Sequence, residues 1–348
     1  MQRNSLQFYW VIFLIFLFVT IFLPFYKVIA AEQESTIVYV ANTQGNSVSV
    51  VDISAMKEIK QFKVGLEPYG IALSKDGKTV AVGVEGEGKV KFFDTTGYKL
   101  KGEVSIDKMF HDHIILTQDG KHLLVADYFS DDVIALDIEK MEEAFRIKSC
   151  DASHVIKYGP LKKLAYVTCK KITGIAILDI EGNKLLKFHQ INVNPRSLTF
   201  SPDESKLYFG SFWVDGIFEM ESETGKVTRL FALKPPDNDN SPKEVTYHGV
   251  ELVYPNIVLA ANEGRSCVDA IDVNSGKHLD RLTTDVSKPC CIEQIPSKKQ
   301  ELVRVLVSNT KDGTVQVVEV SKQGKLKSLG KVKVGEVPKR VALFVQDK

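Results

Sequence analysis

One hairpin unit recurs seven times along this chain. An apolar run ends in a small or polar residue, a short turn follows, and a second apolar run closes on an acid. The units cover residues 37–53, 79–94, 122–138, 164–180, 207–221, 257–273 and 303–320. Their closing acids Asp52, Asp94, Asp137, Asp179, Glu221, Asp272 and Glu319 are 42, 43, 42, 42, 51 and 47 residues apart. A repeat of that length built from strand pairs has the period of four-stranded blades set radially around one axis. The expected fold is all-β, a seven-bladed β-propeller. A closed ring of sheets grows by adding blades, so a body of this length stays one domain where other architectures divide.

The strands follow from alternation and turn chemistry. In the first unit, residues 38–42 and 48–52 flank Gly45 and Asn46, which accept the positive φ of a hairpin turn. A further short run precedes such pairs across an Asp-Gly or similar turn, as at 71–77, 114–120 and 198–204. These runs read as the innermost strands, and weaker runs such as 58–64 and 182–191 as the outermost. Counted this way, the mature chain starts on a second strand at Ile37 and ends on an unmatched first strand, residues 338–345. The last strand is expected to complete the first blade, which closes the ring and removes an exposed edge.

Residues 1–31 are a different material. Arg3 precedes an almost wholly apolar stretch at 8–23, Pro24 breaks it, and Ala30 and Ala31 stand ahead of Glu32 and Glu34. This order reads as an export signal peptide, leaving 32–348 as the propeller, with an uncleaved anchor as the alternative. The 45 Lys and Arg against 44 Asp and Glu give a net charge of +1, which creates no field favouring nucleic acid.

The run Tyr39-Val40-Ala41-Asn42, then Ser49-Val50-Val51-Asp52, then Pro68-Tyr69-Gly70-Ile71-Ala72-Leu73-Ser74-Lys75-Asp76-Gly77, resembles the YVTN family of β-propeller repeats. The resemblance covers all seven units and decays in the fourth and sixth. It implies the fold and leaves the activity open, since that family includes surface-layer proteins, oxidoreductase subunits and cofactor-binding propellers. An exported, haem-free propeller of this length is also similar to the β subunits of the hydrazine synthases, although no motif here is diagnostic of them. That second resemblance implies an extracytoplasmic redox complex with multihaem cytochrome-like partner subunits. The compartment would then be a periplasm, an anammoxosome-like organelle or the outside of the cell, with no membrane span after the leader is cleaved.

Catalytic motifs are missing from the sequence. There is no Cys-x-x-Cys-His for covalent haem c, no Gly-x-Gly-x-x-Gly, no Gly-x-Ser-x-Gly and no His-Glu-x-x-His. The segment 237–241 starts like a calcium loop but lacks its glycine and terminal glutamate, and reads as a solvated loop. The leading expectation is therefore a non-catalytic scaffold subunit. Laying the innermost strands in register supplies the alternative. Gly70, His113, His154, Ser197, His248, Cys291 and Arg340 fall at one position, just where each strand begins at the channel, and His111 lies two residues before His113. His111, His113, His154, His248 and Cys291 offer imidazole and thiol ligands for zinc or copper, as in a metal-binding propeller or a metal-dependent oxidoreductase. The competing reading is a polar structural ring.

Cysteine and loop positions add further expectations. Cys150 precedes an inner strand and Cys169 ends the next strand, which makes them the disulfide candidate; two free thiols are the alternative. Cys290 and Cys291 are expected to point to opposite sides, with Cys291 toward the channel. The longest repeat spacing comes from an insertion at 233–246 that carries Pro235, Pro236 and Asp237, a candidate partner-binding loop. Trp213, beside a hairpin turn, is a candidate interface anchor, while Phe209 reads as core.

Overall fold

A computed structural model describes residues 36–106, 113–234, 245–283, 286–296 and 302–345. Seven four-stranded antiparallel sheets form a ring of blades. Numbered around the ring, blades 1 to 7 have the innermost strands Pro338–Val345, Pro68–Leu73, Ile114–Leu116, Ser153–Gly159, Pro195–Phe200, Tyr247–Tyr254 and Pro289–Ile295. Blade 1 is made from both chain ends: Pro338–Val345 pairs with Thr36–Asn42, matching Phe344 to Ile37 and Val341 to Val40. A single 3-10 turn, Glu85–Glu87, is the one helical piece among the described residues.

Burial follows position within the blade. The second strands are almost wholly apolar and inaccessible, as in Thr79–Val84, because both faces of each blade are covered by its neighbours. The outermost strands alternate or lie exposed, as in Lys57–Lys63. The core therefore sits between blades: Tyr39 and Val50 of blade 1 pack with Val80 and Val82 of blade 2, and Leu259 and Val268 of blade 6 pack with Val305 and Val307 of blade 7. Phe209 is buried and stacks on Phe218 at 5.3 Å between centroids.

The repeated closing acid has a local cause. The Asp94 carboxylate accepts the backbone N–H groups of Thr96 and Lys99 at 3.1 and 2.8 Å. Asp137 accepts those of Glu139 and Lys140, and Asp272 those of Asn274 and Ser275. A short side-chain carboxylate ends the third strand by satisfying the donors of the turn that follows it.

Cys150 and Cys169 are bonded as a disulfide with Cα atoms 5.9 Å apart, tying the approach to blade 4's inner strand to the end of its second strand. Cys267, Cys290 and Cys291 are free and buried. Among the described residues no helix is long and apolar enough to cross a membrane. The leader, His111, Pro235, Pro236 and Asp237 lie outside the described residues.

Candidate functional site at the channel mouth

The inner strands share an irregularity that builds the mouth of the channel. In blade 2, Pro68 pairs with Val84 and Ile71 with Val82, so three steps on the inner strand oppose two on its partner. The same extra residue occurs at Ser153 to Ile156, Pro195 to Leu198, Tyr247 to Val250, Pro289 to Ile292 and Pro338 to Val341. A β-bulge inserts one residue and re-aims side chains, and it recurs here in six blades at one place. The amide that the bulge takes out of the ladder is met locally in two blades: Val155 N–H donates to Thr168 Oγ1 and Cys291 N–H to Ser308 Oγ, both at 3.1 Å. The second strand also needs small residues there. A Cβ on Gly210 would stand 2.3 Å from Cβ of Tyr247.

The bulge corrects the single-register expectation. Its first position holds Tyr69, His154, Arg196, His248, Cys290 and Lys339; its second holds Gly70, Val155, Ser197, Gly249, Cys291 and Arg340. His113 precedes Ile114, whose pairing with Val125 puts it level with the second set. The candidate metal ligands are thus split between two layers, His154 and His248 in one, His113 and Cys291 in the other. Among the described residues no group of three or more His, Cys, Asp or Glu side chains is placed to hold a metal ion. Cys290 and Cys291 turn to different neighbours, as expected: Cys290 Sγ lies 3.3 Å from His248 Nδ1 of blade 6, while Cys291 Sγ accepts from Arg340 Nη1 of blade 1 at 3.7 Å and lines the channel cavity.

The second layer is tied across blades, although the buried Nε of Arg340 has no partner. His113 donates its Nδ1–H to the Ile156 carbonyl of the next blade at 2.6 Å, and burial, with Arg340 and Lys157 nearby, holds its pKa well below the ordinary value. It is a neutral imidazole joining blades 3 and 4. One step deeper, Lys157 Nζ pairs with Glu251 Oε2 at 2.6 Å, and this pair lines, together with Glu293, a cavity of about 170 Å³. Burial pushes the Glu293 carboxyl up to about 7, Lys157 and Arg340 opposing and Glu251 reinforcing the rise.

A raised carboxyl pKa contributes stability in full below its unfolded value near ~4.3, and that contribution is lost as pH climbs through the folded value. Glu293→Gln, neutral throughout, is therefore expected to melt with wild type at pH 4.5 and roughly 2–4 °C above it at pH 8, as scanning calorimetry at the two pH values will show. A difference that is the same at both would contradict the assignment.

The first layer carries denser chemistry. His248 Nε2 lies 3.0 Å from Glu263 Oε2 and 2.6 Å from Arg196 Nη2. As an N–H it donates to the carboxylate; as a bare nitrogen it accepts from the guanidinium. Arg196 also stacks on the Phe212 ring at 4.4 Å. Burial works against the Glu263 carboxylate, yet His248, Lys339 and Arg196 hold it at about 2. Burial alone would raise the Cys290 thiol, but Lys339, His248 and Arg340 outweigh it and leave the group at about 6. Burial takes the Tyr69 phenol up to about 12 and, with Arg196 adding, the Lys170 ammonium down to about 8. His154 is 3% exposed with neither ring nitrogen hydrogen-bonded, and burial beside Lys170 and Arg196 keeps it neutral.

Around this mouth lies an apolar face. Trp213 is 72% exposed on the turn between the second and third strands of blade 5, its backbone N–H donating to the Val245 carbonyl at 3.0 Å. Phe129 and Ile172 occupy the equivalent turns of blades 3 and 4 and are 52% and 45% exposed. Lys170 lies 5.8 Å from the ring centres of both Tyr128 and Phe212, which makes the three turns one surface. Sequence reasoning singled out Trp213 but missed Phe129 and Ile172, although the hairpin alignment puts all three in corresponding turns. It also missed Arg196, Glu263, Cys290 and Lys339. The signal for three of those was Pro68, Pro195, Pro289 and Pro338, which mark the strand start in four blades and give the register by counting.

No family model matches the chain. Antigen Lp49 of Leptospira interrogans is 22% identical over 208 residues, 53% of this chain and 45% of that protein, so the match spans less than half of the relative's length. The fold is that of many solved propellers. Kuenenia stuttgartiensis hydrazine synthase aligns over 80% of this chain and 95% of its own with a TM-score of 0.64 and 18% identity. The periplasmic gluconolactonase PpgL of Pseudomonas aeruginosa aligns over 89% and 99% with 0.67 and 17%. The dihydro-heme d1 dehydrogenase NirN aligns over 89% and 75% with 0.61 and 16%. Likeness at these identities establishes the shared seven-bladed fold.

Proposed function

We propose that this chain is an exported, non-catalytic propeller scaffold that docks a protein subunit of an extracytoplasmic redox assembly through its mouth face. The observation that carries the reading is the apolar surface formed by exposed Phe129, Ile172 and Trp213, with half-buried Tyr128 and Phe212 between them, on three consecutive blades. Contiguous exposed apolar side chains on a rigid frame are the usual mark of an interface, and an exposed Trp is its commonest anchor. The assembly's character is supported by the likeness to hydrazine synthase and to a dihydro-heme d1 dehydrogenase, and the compartment by the likeness to a periplasmic gluconolactonase and by the apolar leader. The chain has no Cys-x-x-Cys-His, so covalent haem in such an assembly belongs to the partner.

The test is purification of the tagged full-length protein from the exported fraction of its own cells. Wild type is expected to elute with one partner in fixed ratio, accompanied by haem absorbance, and Phe129→Asp/Trp213→Asp to elute alone with an unchanged melt. A wild type that elutes alone, or a double variant that keeps its partner, would contradict the reading.

A further inference from the structure

The mouth holds an excess of buried positive charge. Arg196 is 8% exposed, and the side chains of Lys339 and Glu263 are 14% and 22% exposed. Arg340 lies immediately below in the second layer. The carboxylate facing these cations is Glu263, 3.9 Å from Lys339 Nζ and 3.0 Å from His248 Nε2. Glu263 and the Cys290 thiol, which the same cations hold at about 6, are two anionic groups against three cations with Lys170 close by, and the excess positive charge sits where desolvation makes it costly. Beside this cluster a cavity of about 380 Å³ opens to solvent, lined by Arg196, Phe212, Thr246, His248, Glu263 and Lys288, with Gly264 between them.

Two buried groups of this layer have unmet hydrogen bonds, and one of them, Arg196, lines the cavity. Arg196 spends Nη2 on His248 but its buried Nε has no partner, and His154, one blade back at the same bulge position, has both ring nitrogens unpartnered. Buried donors are nearly always matched, so an under-satisfied guanidinium in the wall of an open cationic cavity is a place for an acceptor from outside.

We infer that the channel mouth is a binding site for a small oxyanion, seated in the cavity between Arg196 and Lys288 with the Thr246 side chain on its wall. The planar guanidinium, fixed by its stack on Phe212, lines the cavity as the donor to an anion oxygen, and Lys288 at the rim draws the ligand in. Glu263 does not repel the ligand because Lys339 and His248 already engage it. The mouth cavity is large enough for a tetrahedral oxyanion or a short carboxylate. The inference is independent of the docking partner, since the cavity is complete within this chain.

Isothermal titration calorimetry on the full-length protein in dilute Tris chloride, with sulfate and with acetate as separate probes, tests this. Saturable one-to-one binding is expected for at least one probe: sulfate alone identifies a tetrahedral site, acetate alone a carboxylate site, and both a general oxyanion site. Arg196→Gln should weaken it at least ~10-fold and Lys288→Gln at least ~3-fold, the exposed position of Lys288 making that variant safe for folding. Lys163→Gln, which removes a cation paired with Glu181 at the far end of blade 4, should leave it unchanged. Absence of saturable binding by either probe overturns the inference. So does binding that survives both mouth substitutions, or that falls equally in the Lys163 variant.

Discussion

Deleting residues 338–348 is expected to abolish the single cooperative melt or to lower the melting temperature by more than ~10 °C, measured by calorimetry on the otherwise intact chain. Pro338–Val345 is the inner strand of blade 1, hydrogen-bonded along Thr36–Asn42. Its Val341 packs with Val38 and Leu306 on the blade 7 side, while Ala342 packs with Tyr39 and Val82 toward blade 2. Removing it opens both seams at once and bares a strand edge beside the channel. The backbone oxygen of Lys339 also accepts from Ser308 Oγ at 2.8 Å, a tie to blade 7 that disappears with the strand. A truncated chain that melts like wild type would mean that the ring is held shut some other way.

Asp269→Ala is expected to destabilise the fold by about 3–5 kcal/mol, read from urea unfolding with an unchanged denaturant slope. Asp269 is 0% exposed in the third strand of blade 6, accepting from His278 Nε2 at 2.7 Å and from Arg281 Nε at 2.6 Å. Alanine leaves the Arg281 guanidinium, whose side chain is 15% exposed, without its counter-ion, and that unpaired charge, more than the lost contacts, sets the cost. Asp269→Asn keeps the shape and one acceptor, and should cost less, about 1–3 kcal/mol. A loss under about 1 kcal/mol for the alanine variant would show that Arg281 finds water or another acceptor.

The architecture was legible because period and alternation are written in every repeat. The spacing from Asp52 to Asp94 to Asp137 gave the blades, and the unmatched run at 338–345 gave the exchange of strands between chain ends. The site was legible only in part. A β-bulge adds a residue without altering composition or breaking the apolar pattern, so aligning strands by hydrophobicity slid His154 and His248 one place against Cys291 and Arg340. Four prolines held the right register, but Ser153 and Tyr247 replace proline in the two blades that contribute those histidines, where the slip occurred. Arg196 and Lys339 read as ordinary surface charges at strand starts, and Glu263 as a turn residue. Their significance comes from convergence across blades, which no local window contains. The pairing of Asp269 with Arg281 was invisible for the same kind of reason: an acid sits where other blades carry Ser49, Ile134 and Ala176, and only the neighbouring outer strand explains it.

The proposed docking uses one face of the ring and leaves the other free. Photo-crosslinking in the protein's own cells tests that directly, with the reactive residue placed once at Trp213 on the mouth face and once at Leu161 on the opposite face. The two sites are comparably exposed, at 72% and 65%, so accessibility does not separate them. A single defined adduct from position 213 and none from position 161 is the predicted result. Adducts from 161 alone, or equal labelling from both faces, would contradict it.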